Sequence, residues 1–259
     1  MARRSMTELM AQKGQKPIVM VTAYDAAGAR LVDAAVDSIL VGDSLGMVVQ
    51  GHDTTIPVTL DEMVYHTRMV SRGSQHALVI ADLPFATYNA SVADAVHAAS
   101  RCMKEGLCQA VKLEGGIPVA EHIRALTSYG VPVVGHVGLT PQHIHAFGGW
   151  GKRGKSDAAA KALMEDAKAV EEAGASLVVL ENIPHDLAGE VTAALRIPTI
   201  GIGAGPKCDG QVQVFHDLFG LNPDFTPRHA KRYTECGKEI QDAVGRYAEE
   251  VLSGTFVSR

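Results

Sequence analysis

The chain has 259 residues, 46% of them hydrophobic, and a net charge of −5, which is enough apolar material for one large core. Because its lysines and arginines are scattered, it lacks the basic stripe that nucleic acid binding requires, and we expect a small-molecule partner instead. The four cysteines form no CxxC pair, the first twelve residues lack the apolar segment of a signal peptide, and no run suggests a membrane span. These features predict a cytoplasmic protein without a membrane partner.

Short apolar runs alternate with longer helical patterns along the chain. Most runs are continuously apolar, as is typical of strands buried on both faces of a parallel sheet. The predicted strands are Ile18–Thr22, Ser38–Val41, Ala77–Ala81, Ala110–Leu113, Pro132–Gly135, Leu177–Leu180, Thr199–Ile202 and Val212–Val214. The predicted helices are approximately Ala26–Ala35, Leu60–Ser71, Val92–Glu105, Val119–Tyr129, Asp157–Ala173 and His185–Leu195. This α/β alternation predicts a single (β/α)8 TIM barrel, and an open doubly wound sheet is the less favoured alternative.

Two segments lie outside this alternation. A turn-rich connector, Gly220–Pro227, leads to a C-terminal helical extension at about residues 228–252, and residues 1–259 are predicted to form one domain. The extension could cover the bottom of the barrel or pack on another subunit. The irregular stretch Gly138–Ser156 follows strand five and is predicted to be a lid over the active site.

Polar side chains lie at the carboxyl ends of the predicted strands, where TIM barrels place their active sites. Any single carboxylate there could be an ordinary helix cap, but four crowded together repel one another unless a cation neutralises them. Carboxylate oxygens without cysteine favour Mg²⁺ or Mn²⁺ over Zn²⁺. The four carboxylates are those of Asp43, Asp82, Glu114 and Glu181. The other polar residues at these strand ends are Ser44, Lys112 and His136.

A divalent cation at this position could chelate a 2-oxo acid through its keto and carboxylate oxygens and stabilise the enolate, while a carboxylate outside the metal site acts as base. Two further patterns are weaker signals. The sequence GIGAGP after strand seven is either a phosphate loop or a tight turn that lets a flat ligand approach. His136 either contacts the substrate or orients a carboxylate.

Seven segments of the chain, between about Pro17 and Tyr233, closely resemble the ketopantoate hydroxymethyltransferase family. They are LVGDSLGMVVQGHDTTIPVTLDEM, VIADLPF, VKLEGG, GHVGLTPQ, LVVLENIP, IGIGAGPKCDGQV and HDLFGL. The resemblance implies a TIM barrel, Mg²⁺, and 5,10-methylenetetrahydrofolate as one-carbon donor. It also implies 3-methyl-2-oxobutanoate as substrate, 2-dehydropantoate as product on the route to pantothenate, and a homo-oligomer, a decamer.

The resemblance also assigns roles to individual residues of this chain. It implies that Asp43 and Asp82 bind the metal at the substrate site, and that Glu114 is a third metal-site carboxylate, acting directly or through water. Ser44 and Lys112 are then contacts to the oxygens of the substrate. Glu181 is then the base that removes the C3 proton.

The chain departs from the family pattern at two places. Asn182-Ile183 stands where the family often has Cys-Val, and the loop GGWGKRGK carries Trp150 and Arg153 where a tyrosine and other residues are usual. Two rival functions are a metal-dependent 2-oxo acid lyase and a binding barrel that has lost catalysis. The strand-five loop lacks the cysteine that such lyases often use, and the intact base argues against a binding protein.

Overall fold

The computed structural model describes residues 3–257. Eight parallel strands pair in chain order and form a closed barrel, which confirms the predicted TIM barrel and excludes the open sheet. The Ile18 N–H donates to the carbonyl of Asp209 at 2.9 Å, between the first strand and the start of the last. The strands are β1 (Ile18–Thr22), β2 (Ser38–Val41), β3 (Leu78–Asp82), β4 (Ala110–Glu114), β5 (Val133–Gly138), β6 (Leu177–Glu181), β7 (Thr199–Ile202) and β8 (Gly210–Gln213).

The six predicted helices are present, and their ends differ from the prediction by a few residues at most. Between β7 and β8 the described chain has no helix, so this connection departs from regular alternation. The helices are α1 (Met6–Met10), α2 (Ala26–Val32), α3 (Leu45–Val48), α4 (Leu60–Gly73), α5 (Val92–Lys104), α6 (Ala120–Ser128), α7 (Ile144–Phe147), α8 (Asp157–Glu172), α9 (His185–Ala194), α10 (Phe215–Leu218) and α11 (Cys236–Ser253).

Several of these helices begin at a side-chain cap, which explains why the sequence located their starts well. Asp25 caps α2 by accepting the Gly28 N–H at 2.6 Å, as its position after β1 suggested. Thr59 and Glu62 form a reciprocal capping box at the start of α4. Each cap satisfies backbone donors that the first turn of a helix leaves without a partner.

The interior of the barrel is apolar in its middle layers and polar in the layer at the carboxyl ends of the strands. Successive side chains of a strand point to opposite faces, so every second residue faces the interior. The same period leads from Ile80 to Asp82 in β3 and from Val179 to Glu181 in β6. The apolar cluster below consists of Met6, Leu9, Ile18, Met20, Leu40, Leu78, Ile80, Ala110, Val134, Leu177, Val179, Ile200, Ile202 and Val212.

The amino end of the barrel is closed by α1, a helix that the sequence analysis missed. Met6 and Leu9 are buried in the same apolar cluster as the strand residues. The signal was present, because Ser5 and Glu8 form a capping box. The sequence analysis considered the C-terminal extension as the cover for this end, whereas α1 supplies one.

The described chain divides into two compact units, one up to Val212 and one from Gln213. In the second unit, α11 begins at Cys236, about eight residues later than the helical extension was predicted to begin. The Arg232 guanidinium donates to the Phe225 carbonyl at 2.8 Å, so this segment is folded as turns. The prediction of a single domain over residues 1–259 stays a prediction. No helix within residues 3–257 is both long and apolar enough to span a membrane.

Candidate active site

The strand registers bring the predicted site residues together at the carboxyl end of the barrel. Lys112 of β4 lies opposite Asp82 of β3, and Glu114 lies opposite His136 of β5. Asp43 follows β2 after a single glycine. Asp82 and Glu114 are the last residues of β3 and β4. The sequence had predicted that each would follow the end of its strand by one position. Their side chains therefore belong to the topmost inward-facing layer of the barrel.

Three buried carboxylates surround one lysine in this layer. The Lys112 Nζ lies 2.8 Å from Asp82 Oδ1 and 3.8 Å from Glu114 Oε1. The Asp43 backbone N–H donates to Asp82 Oδ2 at 3.2 Å. All four residues are at most 4% exposed. When all are ionised, the group carries an excess of negative charge that the lysine alone does not neutralise.

This crowding changes the pKa values of the group. Burial, followed by the charges of Asp82 and Glu114, raises the pKa of Asp43 well above its usual range. Burial also raises the pKa of Asp82, although Lys112 opposes the shift. Burial favours neutral Lys112, but the surrounding carboxylates outweigh it and raise the lysine pKa. The raised pKa values of Asp43 and Asp82 thus report how strongly burial and crowding oppose the ionised carboxylates.

His136 links this group to Glu181. Its Nδ1 lies 3.4 Å from Glu114 Oε1, and its Nε2 lies 3.2 Å from Glu181 Oε2. Burial and the charge of Lys112 lower the pKa of His136, but its bonds to Glu114 and Glu181 outweigh them and raise it to about 9. The Glu181 side chain retains 15% exposure and faces a more open space than the other carboxylates. This geometry favours the interpretation that His136 orients a carboxylate.

Ser44 is the predicted site residue whose side chain contacts a residue outside the group around Lys112. Its Oγ lies 2.9 Å from the Tyr24 hydroxyl. It also occupies the cap position of α3, where its side chain makes no capping hydrogen bond. Ser44 therefore keeps its hydroxyl near Asp43 but engaged with a tyrosine that the sequence analysis did not include. Its role as a substrate contact stays a prediction.

Gln142 and Tyr88 are two buried residues of the site that sequence reasoning missed. The Gln142 amide donates to Asp43 Oδ2 at 2.9 Å, and its backbone N–H donates to Glu114 Oε2 at 3.0 Å. The Tyr88 hydroxyl donates to Gln142 Oε1 at 2.7 Å. Gln142 stands in the segment GHVGLTPQ that carries the family resemblance, which was the available signal. Tyr88 had none, because it lies in a loop of ordinary composition.

The buried carboxylates repel one another, and a divalent cation would neutralise that repulsion. Within the described chain, Glu114 Oε1 is buried and makes no hydrogen bond of good geometry, and its neighbours are His136 Nδ1 at 3.4 Å and Lys112 Nζ at 3.8 Å. Among residues 3–257, no three His, Cys, Asp or Glu side chains are already arranged around one metal position. Mg²⁺ commonly takes only one or two carboxylates and keeps several waters, so the pair Asp43 and Asp82 is sufficient for it. Oxygen ligands without a thiolate agree with this choice.

The predicted lid begins beside the end of the Glu181 strand. Gly138 lies opposite Glu181 with φ +100°, and a Cβ there would come within 2.4 Å of the Glu181 carbonyl. The Arg153 N–H donates to the Asn182 carbonyl at 2.9 Å, and the Asn182 amide donates to the Trp150 carbonyl at 3.1 Å. The residues that depart from the family pattern therefore contact one another. Whether this segment moves stays a prediction.

The glycine-rich sequence after β7 forms a tight turn, one of the two alternatives that its sequence offered. Gly203 and Gly205 have φ values of +63° and +84°. At Gly205 a Cβ would come within 2.4 Å of the His185 ring, so only glycine fits against that imidazole. An approach of a flat ligand to this turn stays a prediction.

Comparison with known proteins identifies the family of this chain. A family model described as ketopantoate hydroxymethyltransferase matches residues 3–259. The 3-methyl-2-oxobutanoate hydroxymethyltransferase of Pelobacter propionicus is 53% identical over 249 residues, covering 96% of this chain and 92% of that protein. The enzyme of the same name from Syntrophus aciditrophicus is 54% identical over 248 residues, covering 95% and 91%.

Solved structures show the same fold at low sequence identity. Phosphoenolpyruvate phosphomutase from Streptomyces platensis subsp. rosaceus aligns with a TM-score of 0.66 at 15% identity, covering 97% of this chain and 88% of that one. A 2,3-dimethylmalate lyase aligns with a TM-score of 0.60 at 18% identity, covering 96% and 88%. These likenesses concern the barrel alone, whereas the family model and the curated relatives cover nearly the whole chain at high identity. The chain belongs to the ketopantoate hydroxymethyltransferase family.

Proposed function

We propose that this chain transfers a hydroxymethyl group from 5,10-methylenetetrahydrofolate to 3-methyl-2-oxobutanoate, giving 2-dehydropantoate for pantothenate biosynthesis. Membership of the family supports the type of reaction. The observation that carries the mechanism is the contact of His136 with Glu181 on one side and Glu114 on the other. This contact supports Glu181 as the proton acceptor beside a group of charges suited to a chelated anion.

The cation we propose is Mg²⁺, held by Asp43 and Asp82, with Glu114 as a third carboxylate that acts directly or through water. The excess negative charge around Lys112 supports this choice. A cation held there would withdraw charge from the keto group of the 2-oxo acid and so make its C3 proton more acidic.

The side chains of the chain would then move the proton and hold the charge. Glu181 accepts the C3 proton, and His136, whose Nε2 lies 3.2 Å from Glu181 Oε2, holds the Glu181 carboxylate in place by its charge. Lys112 donates to the oxygens of the substrate and stabilises the charge that develops on the enolate. The Ser44 hydroxyl donates to the same oxygens once it leaves Tyr24.

Bond formation joins the enolate carbon to the methylene carbon of the folate in its open iminium form. Hydrolysis of the remaining carbon–nitrogen bond takes one water, which supplies the hydroxyl of the product, and releases tetrahydrofolate. The lid segment of residues 138–156 would exclude other water while the carbon–carbon bond forms.

The direct test is product formation by the purified chain with both substrates and Mg²⁺, followed by mass spectrometry of 2-dehydropantoate. We expect product with Mg²⁺ and none after chelation. Lys112→Ala should raise KM and lower kcat together, because the lysine touches oxygens present before the enolate forms. Cleavage of a 2-oxo acid without hydroxymethyl transfer would contradict the proposal and favour a lyase.

We also propose that the chain assembles with further copies of itself. In α11, Ile240, Val244, Tyr247 and Val251 share one helical stripe, and each is about half exposed. An exposed apolar stripe of this length is typical of a protein interface. Sedimentation should show an oligomer that Tyr247→Glu weakens, and a concentration-independent monomer would contradict this assignment.

A further inference from the structure

Gln142 occupies a central position among the carboxylates of the site. It lies in the short 3-10 turn Pro141–His143 after β5 and is 2% exposed. Its Nε2 donates to Asp43 Oδ2 and to the Leu83 carbonyl, each at 2.9 Å. Its backbone N–H donates to Glu114 Oε2 at 3.0 Å. One residue thus joins the carboxyl ends of β2, β3 and β4 to the loop that follows β5.

The surroundings fix the orientation of the Gln142 amide. Asp43 Oδ2, when ionised, and the Leu83 carbonyl only accept hydrogen bonds, so the amide nitrogen must face them. The Tyr88 hydroxyl lies 2.7 Å from Oε1 and 3.1 Å from the Glu114 carbonyl, so its single proton is donated over the shorter distance to the amide oxygen. Tyr88 is held in turn, because its hydroxyl accepts the Glu114 N–H at 3.1 Å. A buried amide with donors and acceptors all matched has a single favourable rotamer.

We propose that Gln142 is a positioning residue that fixes the carboxylates of Asp43 and Glu114 for the cation and the substrate. It engages Oδ2 of Asp43 and Oε2 of Glu114 and leaves the second oxygen of each outside its network. Partners that bind the far side of a metal ligand orient it and commonly change metal affinity about 10–100-fold. The inference rests on the proposed function, because it assumes that these carboxylates hold the cation.

Two substitutions of similar size separate orientation from packing. Gln142→Met removes both amide donors and the acceptor. Gln142→Glu keeps the acceptor for Tyr88 but offers at most one donor to the two acceptors, Asp43 Oδ2 and the Leu83 carbonyl. If Gln142 only filled space, Gln142→Met would resemble wild type, whereas Gln142→Glu also adds a carboxylate beside Asp43 and therefore tests the loss of the donors together with added charge. His143→Ala is the matched control, since His143 lies in the same turn and contacts Thr140 at 3.1 Å.

The experiment measures Mg²⁺ affinity by calorimetry in the full-length proteins, with circular dichroism to verify folding. We expect the dissociation constant to rise about 10–100-fold in both Gln142 variants and to stay unchanged in His143→Ala. The Mg²⁺ concentration needed for C3 proton exchange should shift by the same factor, and exchange at saturating Mg²⁺ should recover toward the wild-type rate. Tyr88→Phe, which frees Oε1, should show a smaller loss of affinity.

Two outcomes would overturn the inference in different ways. Wild-type Mg²⁺ affinity in a folded Gln142→Glu or Gln142→Met variant, while the wild type binds Mg²⁺ and forms product, would overturn the positioning role alone. A wild-type protein that binds no Mg²⁺ and forms no product would overturn the proposed function together with it. If Gln142→Met does not fold, Tyr88→Phe and Gln142→Glu decide the question by the same measurement.

Discussion

The two ends of the barrel bury carboxylates in different ways. At the amino end, Asp37 accepts the Val19 N–H at 2.9 Å and faces Arg4 at 3.2 Å and Lys16 at 3.6 Å. At the carboxyl end of the described barrel, the four carboxylates of Asp43, Asp82, Glu114 and Glu181 have only two cationic groups among them, Lys112 and His136. Both sets of carboxylates are shielded from water, so solvation does not explain the difference between them.

The same contrast holds for a second carboxylate at the amino end. Asp209 contacts Lys13 at 2.7 Å and accepts the Thr199 N–H at 2.9 Å. Carboxylates with their own cations and backbone donors stabilise the fold, as expected for the stability face of a barrel. Carboxylates left with an excess of charge keep binding capacity for a ligand. Residues that hold the barrel together are thus fully paired, whereas those proposed to perform chemistry are not.

The largest expected effect is at the carboxyl end. Asp43→Asn and Asp82→Asn should each abolish Mg²⁺ binding and turnover, because each removes a proposed ligand. Asp43→Asn should raise the melting temperature of the metal-free protein, since it relieves repulsion and keeps an acceptor for Gln142. Asp82→Asn should not raise the melting temperature of the metal-free protein, because Asp82 pairs with Lys112.

Calorimetry with Mg²⁺ and thermal unfolding measure these two effects. The control is Asp37→Asn at the amino end, which should lower stability and leave Mg²⁺ affinity unchanged. Wild-type affinity in both carboxyl-end variants would remove the metal assignment and with it the contrast between the two ends.

A second prediction concerns the helix that closes the amino end. Leu9 is fully buried in the apolar cluster, so Leu9→Ala should destabilise the protein by about 2–5 kcal/mol. kcat should not change in the folded variant, because Leu9 lies at the opposite end from the site. Denaturant unfolding measures the loss, with Met10→Ala as control on the exposed side of the same helix. An equal loss in both variants would show that α1 does not pack as described.

A smaller effect is expected at Asp33, which lies among backbone donors near the start of β3. Its carboxylate accepts from the Ser74 hydroxyl at 2.6 Å and from the N–H groups of Gln75, His76 and Ala77 at 2.9 to 3.0 Å. Although burial alone would raise the pKa of Asp33, these bonds outweigh it and lower it. Asp33→Asn should therefore cost about 1–3 kcal/mol at neutral pH.

The sign of the shift fixes the pH dependence of this contribution. Because the folded-state pKa of Asp33 is below the unfolded value, the stabilisation is complete above the unfolded pKa of about 3.9. It is lost as the pH falls through the lower folded-state value. Unfolding curves of wild type and Asp33→Asn should therefore converge in acid, and a constant difference at all pH values would contradict this account.

The sequence could predict the barrel and most of the site because both depend on the two-residue alternation of side chains along a strand. Continuous apolar runs marked the strands, and the alternation within them places Asp82, Lys112, Glu114 and Glu181 on the inward face of their strands. The same alternation places His136 in this layer, two residues after Val134. The alternatives for His136 stayed open at that stage because its partners lie on two other strands.

Features that depend on contacts distant in sequence were missed. Gln142 meets Asp43, which lies 99 residues earlier, and Tyr88, which lies 54 residues earlier. Nothing in local composition distinguishes such a glutamine from an exposed one. The short helix α1 was missed because its burial depends on strands that come later in the chain, although its capping box was visible.

The central claim is that Glu181 removes the C3 proton at the under-neutralised end of the barrel, and proton exchange tests it most directly. Deuterium incorporation at C3 of 3-methyl-2-oxobutanoate, measured with Mg²⁺ and without folate, separates this step from transfer. Glu181→Gln should bind Mg²⁺ and the 2-oxo acid nearly normally while exchange falls by roughly 10²-fold or more. Exchange at the wild-type rate in Glu181→Gln would contradict the account and make His136 the first alternative base.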